Sequence, residues 1–91
     1  MMSPQMRVIQ DVIAERFRQD TKWGVQNHAP ETWLMVLGEE VGEANKAALE
    51  YRFPHGVPLT WTAYRDELIQ VAAVAIAAIE SLDRNEMRGD E

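Results

Sequence analysis

The strongest constraint on the fold is an uninterrupted apolar run at residues 71–79, composed of alanine, valine and isoleucine. With its flanks, this run predicts a helix that is apolar almost all round from Leu68 to Ile79. A helix that is apolar on every side must be covered on every side. The rest of this short chain has room for only two more helices, so we expect a homodimer or a larger homo-oligomer.

The spacing of apolar residues, together with the prolines and glycines, predicts three helices. Pro4 and Pro30 each suit the first turn of a helix, with Ser3 as the cap before Pro4. Thr60 or Thr62 suits the cap of the third helix. The predicted helices cover about residues 4–20, 30–50 and 62–83, with Gly24 as a turn residue between the first two. We therefore predict an all-α fold, in which a three-helix chain forms a helical bundle completed by homo-oligomerisation.

The first predicted helix carries an apolar stripe that we expect to face the core. The stripe consists of Val8, Ile9, Val12, Ile13 and Phe17. The charged residues expected on the outer face of this helix are Arg7, Asp11, Glu15 and Arg18.

The length of 91 residues fits one domain, near the lower limit for a self-sufficient core. We place the core of this domain at about residues 5–83 and expect a polar, frayed C-terminal tail at residues 84–91. The absence of cysteine excludes disulfides, zinc fingers and thiol chemistry from these residues.

The charge of the chain limits the classes of partner that we expect it to bind. A net charge of −6 and a pI near 4.8 argue against a nucleic-acid polymer, because proteins that bind one usually carry a basic surface. The N-terminus lacks the apolar segment of a signal peptide, and a run of this length is too short to cross a membrane. We expect a cytoplasmic protein with no membrane partner.

Two acidic signatures predict a site for a divalent cation. Glu40 and Glu43 are three residues apart on one helix, as are Glu67 and Gln70 on another, so each pair shares a face. On a helical wheel Glu40 lies at the edge of the apolar stripe of the second helix, so it is the carboxylate that we expect to face inward. Oxygen ligands of this kind suit Mg²⁺, or Mn²⁺, rather than zinc. The alternative interpretation is a solvated or salt-bridged helix face.

A second group of residues, around the turn between the first two helices, can hold a nucleotide. An indole can stack on a base, an amide or imidazole can read the edge of the base, and a lysine can contact phosphate. The alternative is structural, with tryptophans closing the ends of a small bundle and polar side chains capping a helix. The candidate substrate-binding residues are Lys22, Trp23, Gln26, His28 and Trp33.

These residues together resemble a known family. Glu39-Glu40-x-x-Glu43 followed by Glu67-x-x-Gln70 resembles the EExxE…ExxD signature of the MazG-like, all-α nucleoside triphosphate pyrophosphohydrolases. The resemblance covers about residues 8–82 and includes the leader Lys-Trp-Gly-x-Gln-x-His. It implies a helical bundle completed by dimerisation, often with dimers joined into tetramers. It also implies Mg²⁺-dependent cleavage of an NTP or dNTP between the α and β phosphates, giving a monophosphate and pyrophosphate.

The resemblance also implies roles for individual residues. By position, Glu40, Glu43 and Glu67 would be metal ligands, and Glu39 would be a further ligand or would orient the attacking water. Gln70 stands where the family usually has aspartate. The alternative functions are a phosphoribosyl-ATP pyrophosphohydrolase and a non-catalytic helical dimerisation or nucleotide-binding module derived from such an enzyme.

Overall fold

A computed structural model describes residues 1–53 and 61–87 of the chain. Helix α1 spans Pro4–Trp23, α2 spans Pro30–Arg52 and α3 spans Trp61–Leu82. A short π-helical segment, Asp83–Met87, continues from the end of α3. The described residues contain no strand, so the prediction of an all-α, three-helix chain is confirmed.

The ends of α1 follow from local hydrogen bonding. Ser3 caps its N-terminus, because the Oγ atom accepts a hydrogen bond from the backbone N–H of Met6 at 3.1 Å. The helix continues three residues past the predicted end at Asp20, up to Trp23. Gly24 then stops it with a φ of 74°, a left-handed conformation that favours glycine. The prediction of Gly24 as the turn residue is confirmed.

The start of α3 corrects one sequence-based alternative. Thr62 lies inside α3, so it is not the cap of this helix. The other candidate cap, Thr60, lies outside the described residues, as do the remaining residues from 54 onward in this connection.

Helices α2 and α3 pack side by side and run in opposite directions. The N-terminal end of α2 meets the C-terminal half of α3, where Trp33 packs with Val74. At the other end, the rings of Tyr51 and Trp61 stack with their centroids 3.6 Å apart. These two contacts fix the relative orientation of α2 and α3.

Helix α1 runs parallel to α3 and contacts it through polar side chains. Near its start Asp11 pairs with Arg65 at 2.6 Å, and further along Gln19 donates to Gln70 at 3.4 Å. Among the described residues, the backbones of α1 and α2 do not approach each other closely, whereas α3 contacts both. This arrangement leaves a cleft between α1 and α2, with α3 as its floor.

The apolar core of the described residues is small and lies between α2 and α3. Trp33, Val74 and Ala77 form its buried centre. The residues packed around this centre are Val36, Leu37 and Ala78. Because alanine and valine have short side chains, the two helices can pack closely at this point.

The orientation predicted for α1 is wrong. Of the predicted apolar stripe only Val12 is buried, while Ile13 is exposed and Phe17 is 76% exposed. Glu15, predicted on the outer face, is instead only 7% exposed. The physical reason is that α1 meets α3 through ion pairs and hydrogen bonds, which turn its polar side towards the rest of the chain.

The prediction of a frayed tail is wrong for residues 84–87, which belong to the π-helical segment. Arg84 and Asn85 in this segment both donate hydrogen bonds to the Oδ1 atom of Asn27, between α1 and α2. These bonds give the segment a fixed place beside the start of α2. Residues 88–91 lie outside the described part of the chain.

None of the helices that the structure describes is long and apolar enough to cross a membrane. This finding agrees with the prediction that the apolar run of α3 is too short to cross a membrane.

The buried face of α3 gives a test of the packing. Ala73 is 0% exposed, so Ala73→Leu inserts extra volume into a filled space. We expect the free energy of unfolding to fall by about 1–3 kcal/mol, measured by urea unfolding followed by circular dichroism. Ala63→Leu is the matched control, because Ala63 is exposed on the same helix and should tolerate the change. Equal stability of the two variants would contradict the proposed packing.

Candidate functional site

A cleft of about 450 Å³ lies between α1 and α2. Its floor is formed by one face of α3, comprising Gln70, Val74 and Ala77. The α1 wall and the turn that follows it are Glu15, Arg16, Arg18, Gln19, Asp20, Lys22, Trp23 and Gln26. The remaining lining residues are Trp33, Val36 and Glu40 of α2, and Arg84 beyond α3.

Glu40 marks an acidic end of this cleft. Its side chain is half-buried, whereas Glu39 and Glu43 are exposed, so the prediction that Glu40 faces inward most is confirmed. Burial raises the pKa of Glu40, and repulsion from neighbouring carboxylates raises this pKa further. Those carboxylates are, in decreasing order of effect, Glu67, Glu39, Glu43 and Glu15. A cation bound at this end would offset both the cost of burying the charged carboxylate and the repulsion between the carboxylates.

Glu15 belongs to this acidic end and was missed by the sequence analysis. It lines the cleft and accepts hydrogen bonds from Arg18, three residues later on the same helix. The spacing of Glu15 and Arg18 is a common surface pattern. Nothing local in the sequence therefore distinguishes Glu15 from a solvent-facing residue, because its burial depends on which face of α1 meets α3.

The predicted metal ligands are only partly brought together. Glu40 and Gln70 both line the cleft, whereas Glu43 is exposed and does not, and Glu67 is half-buried outside it. The amide oxygen of Gln70 accepts a hydrogen bond from Gln19. Within residues 1–53 and 61–87, no three histidine, aspartate or glutamate side chains are grouped so that they could hold a metal ion. The metal site therefore stays a prediction.

Arg16 is the most enclosed cation of the cleft, with a side chain 12% exposed. It donates to Glu80 at 2.7 Å and to Asp20 at 3.0 Å. The hydrogen bond to Glu80 is the main reason that the pKa of Arg16 is raised, with burial acting in the opposite direction and Asp20 reinforcing the rise. Arg16 thus joins α1 to α3 while staying charged. The sequence analysis did not single it out.

The opposite end of the cleft is aromatic. Trp33 is 6% exposed and packs in the core, and its Nε1–H has no hydrogen-bond partner among the described residues. Trp23 and Gln26 are exposed at the rim, with the ammonium group of Lys22 lying 4.7 Å from the Trp23 ring centre. This end combines an apolar wall with side chains that are free to contact a ligand.

His28 does not line the cleft. Its ring meets the edge of Trp33 with the ring centres 5.0 Å apart. It lines a separate, smaller apolar pocket of about 160 Å³, together with Leu34 and Ile79. His28 therefore supports the aromatic end of the cleft from behind.

Of the predicted site residues, the cleft brings together six from two separate sequence motifs. They are Lys22, Trp23, Gln26, Trp33, Glu40 and Gln70. Glu39, Glu43, Glu67 and His28 lie outside its lining. Trp33 and Glu40 are seven residues apart on α2, which corresponds to about 10 Å along the helix. The two ends of one elongated ligand could therefore contact both groups.

Comparisons of the chain with protein-family models, with curated proteins and with solved structures find no match.

The raised pKa of Glu40 predicts how stability depends on pH. The folded state holds the proton more tightly than the unfolded chain, so rising pH removes it at a cost to the folded state. At pH 7, without divalent cations, we expect Glu40→Gln to unfold at a higher temperature than the unmodified protein. The difference should shrink as the pH falls through the raised pKa of Glu40 and should vanish below the ordinary carboxyl pKa of about 4.3.

This comparison is made by thermal unfolding with EDTA at pH 4 and pH 7. Glu50→Gln is the matched control, since Glu50 is exposed on the same helix and pairs with Lys46 at 4.0 Å. We expect this control to change the free energy of unfolding by less than about 0.5 kcal/mol. If Glu40→Gln is less stable than the unmodified protein at pH 7, repulsion between Glu40 and the neighbouring carboxylates does not destabilise the folded state, and the prediction is wrong.

Proposed function

We propose that this protein is a Mg²⁺-dependent nucleotide pyrophosphohydrolase that cleaves an NTP or dNTP between its α and β phosphates. The observation that carries the proposal is one cleft with a crowded carboxylate, Glu40, at one end and an aromatic wall containing Trp33 at the other. The resemblance of the acidic signatures to the MazG-like enzymes supports the same reaction. The products would be a nucleoside monophosphate and pyrophosphate.

The acidic end fits a hard cation by charge and by ligand type. The residues that would hold Mg²⁺, or Mn²⁺, are Glu40, Glu43 and Glu67, with the amide oxygen of Gln70 beside them. Their mutual repulsion disfavours close grouping of the carboxylates without a cation, and Glu15 adds a further negative charge nearby. When bound, such a cation neutralises charge on phosphoryl oxygens and lowers the pKa of water.

The proton from the attacking water needs an acceptor. Glu39 suits this role because its carboxylate is exposed and adjacent in sequence to Glu40. A general base of this kind accelerates a reaction by about 10²- to 10⁴-fold. In phosphoryl transfer, positioning of the reactants and electrostatic stabilisation supply most of the remaining rate acceleration. The reaction therefore needs no covalent nucleophile, which is consistent with a chain that lacks cysteine.

The aromatic end would hold the base and sugar of the nucleotide. Trp23 is exposed at the rim and can stack on a base, while the Gln26 side chain can read its edge. Trp33 forms the apolar wall, with His28 packed against its edge. Lys22, one residue before Trp23, carries the charge that would meet a phosphate.

The exposed apolar stripe supports self-association, which we include in the proposal as a homodimer or a tetramer. Ile13 and Phe17 on α1 are exposed together, as are Ile76 and Ile79 on α3. Apolar patches of this extent usually mark an interface between proteins. A second copy of the chain would cover them, and a cytoplasmic location would give such an enzyme access to nucleotides.

The first test of this function is pyrophosphate release from a panel of NTPs and dNTPs, including phosphoribosyl-ATP, with Mg²⁺, with Mn²⁺ and with EDTA. We expect metal-dependent release from some of these substrates. Glu40→Gln should lower kcat by about a hundredfold or more, because it removes charge that acts on the reacting phosphates. Glu50→Gln should leave the rate unchanged.

Two outcomes would contradict the proposed site or the proposed function. One is metal-dependent release that survives Glu40→Gln, which would remove the proposed site. The other is an absence of release from every nucleotide by a folded oligomer, which would instead favour the non-catalytic module.

Self-association has its own test. Phe17→Glu places a charge in the exposed stripe and should dissociate the oligomer, as measured by analytical ultracentrifugation. Ala63→Glu is the control, because it adds the same charge at an exposed position of α3, on the side of that helix opposite Ile76 and Ile79. If the unmodified protein sediments as a monomer at about 100 µM, the proposed interface is refuted. A stable interface has a dissociation constant well below this concentration.

A further inference from the structure

The turn between α1 and α2 is tied down by the segment that follows α3. The Oδ1 atom of Asn27 accepts hydrogen bonds from Arg84 Nε at 3.1 Å and Arg84 Nη2 at 2.9 Å. It accepts another from Asn85 Nδ2 at 2.8 Å. The Asn85 amide also donates to the backbone carbonyl of Ser81 at 2.9 Å, which fixes Asn85 to the end of α3.

Two backbone carbonyls on either side of Asn27 are held from the same direction. Arg84 Nη2 donates to the carbonyl of Gln26 at 3.2 Å, and Ser81 Oγ donates to the carbonyl of His28 at 3.4 Å. Three consecutive residues of the turn are therefore held, Gln26 and His28 by their backbone carbonyls and Asn27 by its side chain. The side chain of Gln26 remains at the lining of the cleft.

The same arginine reaches the wall of the cleft. Arg84 lines the cleft, and its Nη1 atom lies 4.0 Å from Glu80, the residue that pairs with Arg16. A continuous set of polar contacts thus runs from Arg16 on α1, through α3, to Asn27. Movement of residues 26–28 would disturb the aromatic end of the cleft.

We propose that the π-helical segment Asp83–Met87 is a clamp that positions the nucleotide-binding end of the cleft. Arg84 and Asn27 are positioning residues, which act through Trp23 and Gln26 rather than by reacting with the substrate. This inference rests on the proposed function, because it assigns the base to that end. A fixed turn reduces the entropy lost when a ligand is bound. The reacting phosphates lie at the Glu40 end, so the clamp affects binding of the nucleotide more than its cleavage.

The clamp is tested by removing its donors in the full-length protein. Arg84→Met retains much of the side-chain length and removes the hydrogen bonds from Arg84 to Asn27 and Gln26. We expect KM to rise about tenfold, which corresponds to about 1.4 kcal/mol, with kcat changed less than twofold. We also expect faster amide hydrogen exchange at Gly24, Thr32 and Trp33, whose N–H groups are hydrogen-bonded on either side of the turn, measured by mass spectrometry without nucleotide.

Substitutions at Asn27 separate positioning from general stability. Asn27→Asp keeps an acceptor oxygen for Arg84 and should retain the KM of the unmodified protein, whereas Asn27→Leu should raise KM as Arg84→Met does. In the double variant Arg84→Met/Asn27→Leu the rise in binding free energy should be smaller than the sum of the two single effects, because both substitutions remove the bonds between Arg84 and Asn27. Arg65→Met is the matched control, since Arg65 joins α3 to Asp11 far from the turn.

Each result decides between the clamp and its alternatives. Unchanged exchange in Arg84→Met would overturn the clamp, and faster exchange with an unchanged KM would overturn its positioning role. An equal rise in KM for Arg65→Met would assign the effect to general loss of stability. Absence of turnover by the unmodified protein would overturn the proposed function and the nucleotide-positioning role, while the exchange measurement would still decide whether the clamp exists.

Discussion

The whole arrangement depends on α3 packing against two helices that do not pack against each other. On one side its alanines and valines allow close apolar contact with α2, centred on Trp33. On the other side it meets α1 through charged and amide side chains, such as the pair between Glu80 and Arg16. The cleft exists because these two contacts hold α1 and α2 apart above one face of α3. An apolar contact between α1 and α2 would have filled it.

The polar contact between α1 and α3 also explains the charge distribution of the cleft. Arg16 keeps its charge because Glu80 and Asp20 accept hydrogen bonds from it. Glu15, one residue earlier, is buried beside Arg18 and adds negative charge near Glu40. Acidic and basic groups therefore share one wall within a few residues. An anionic ligand with a bound cation would complement this mixture of charges better than an anion alone or a cation alone.

Local sequence patterns were sufficient for the helices and insufficient for the face that α1 presents. The caps and turns depend on neighbouring residues, so Ser3 and Gly24 could be identified from the sequence. The orientation of α1 depends on contacts between residues far apart in the chain, such as Arg16 and Glu80. Periodicity correctly found the apolar stripe containing Phe17 but could not show that this chain alone leaves it exposed.

The same distinction applies to the candidate site. The acidic signatures identified Glu40 and Gln70, and the leader identified Trp23 and Gln26, because each of these residues belongs to a short motif that is recognisable from its immediate neighbours. Arg84 was assigned to a frayed tail, since nothing in its neighbourhood shows that it reaches Asn27.

The dependence of residues 26–28 on Ser81, Arg84 and Asn85 has a consequence for the order of folding. During synthesis α1, the turn and α2 leave the ribosome first, but their shared partner α3 is made last. Neither the Trp33 core nor the bonds to Asn27 can form until α3 and the segment that follows it have been made. Contacts between residues this far apart slow the folding of a small domain. The cleft is therefore expected to assemble late in folding, after α1 and α2 have formed.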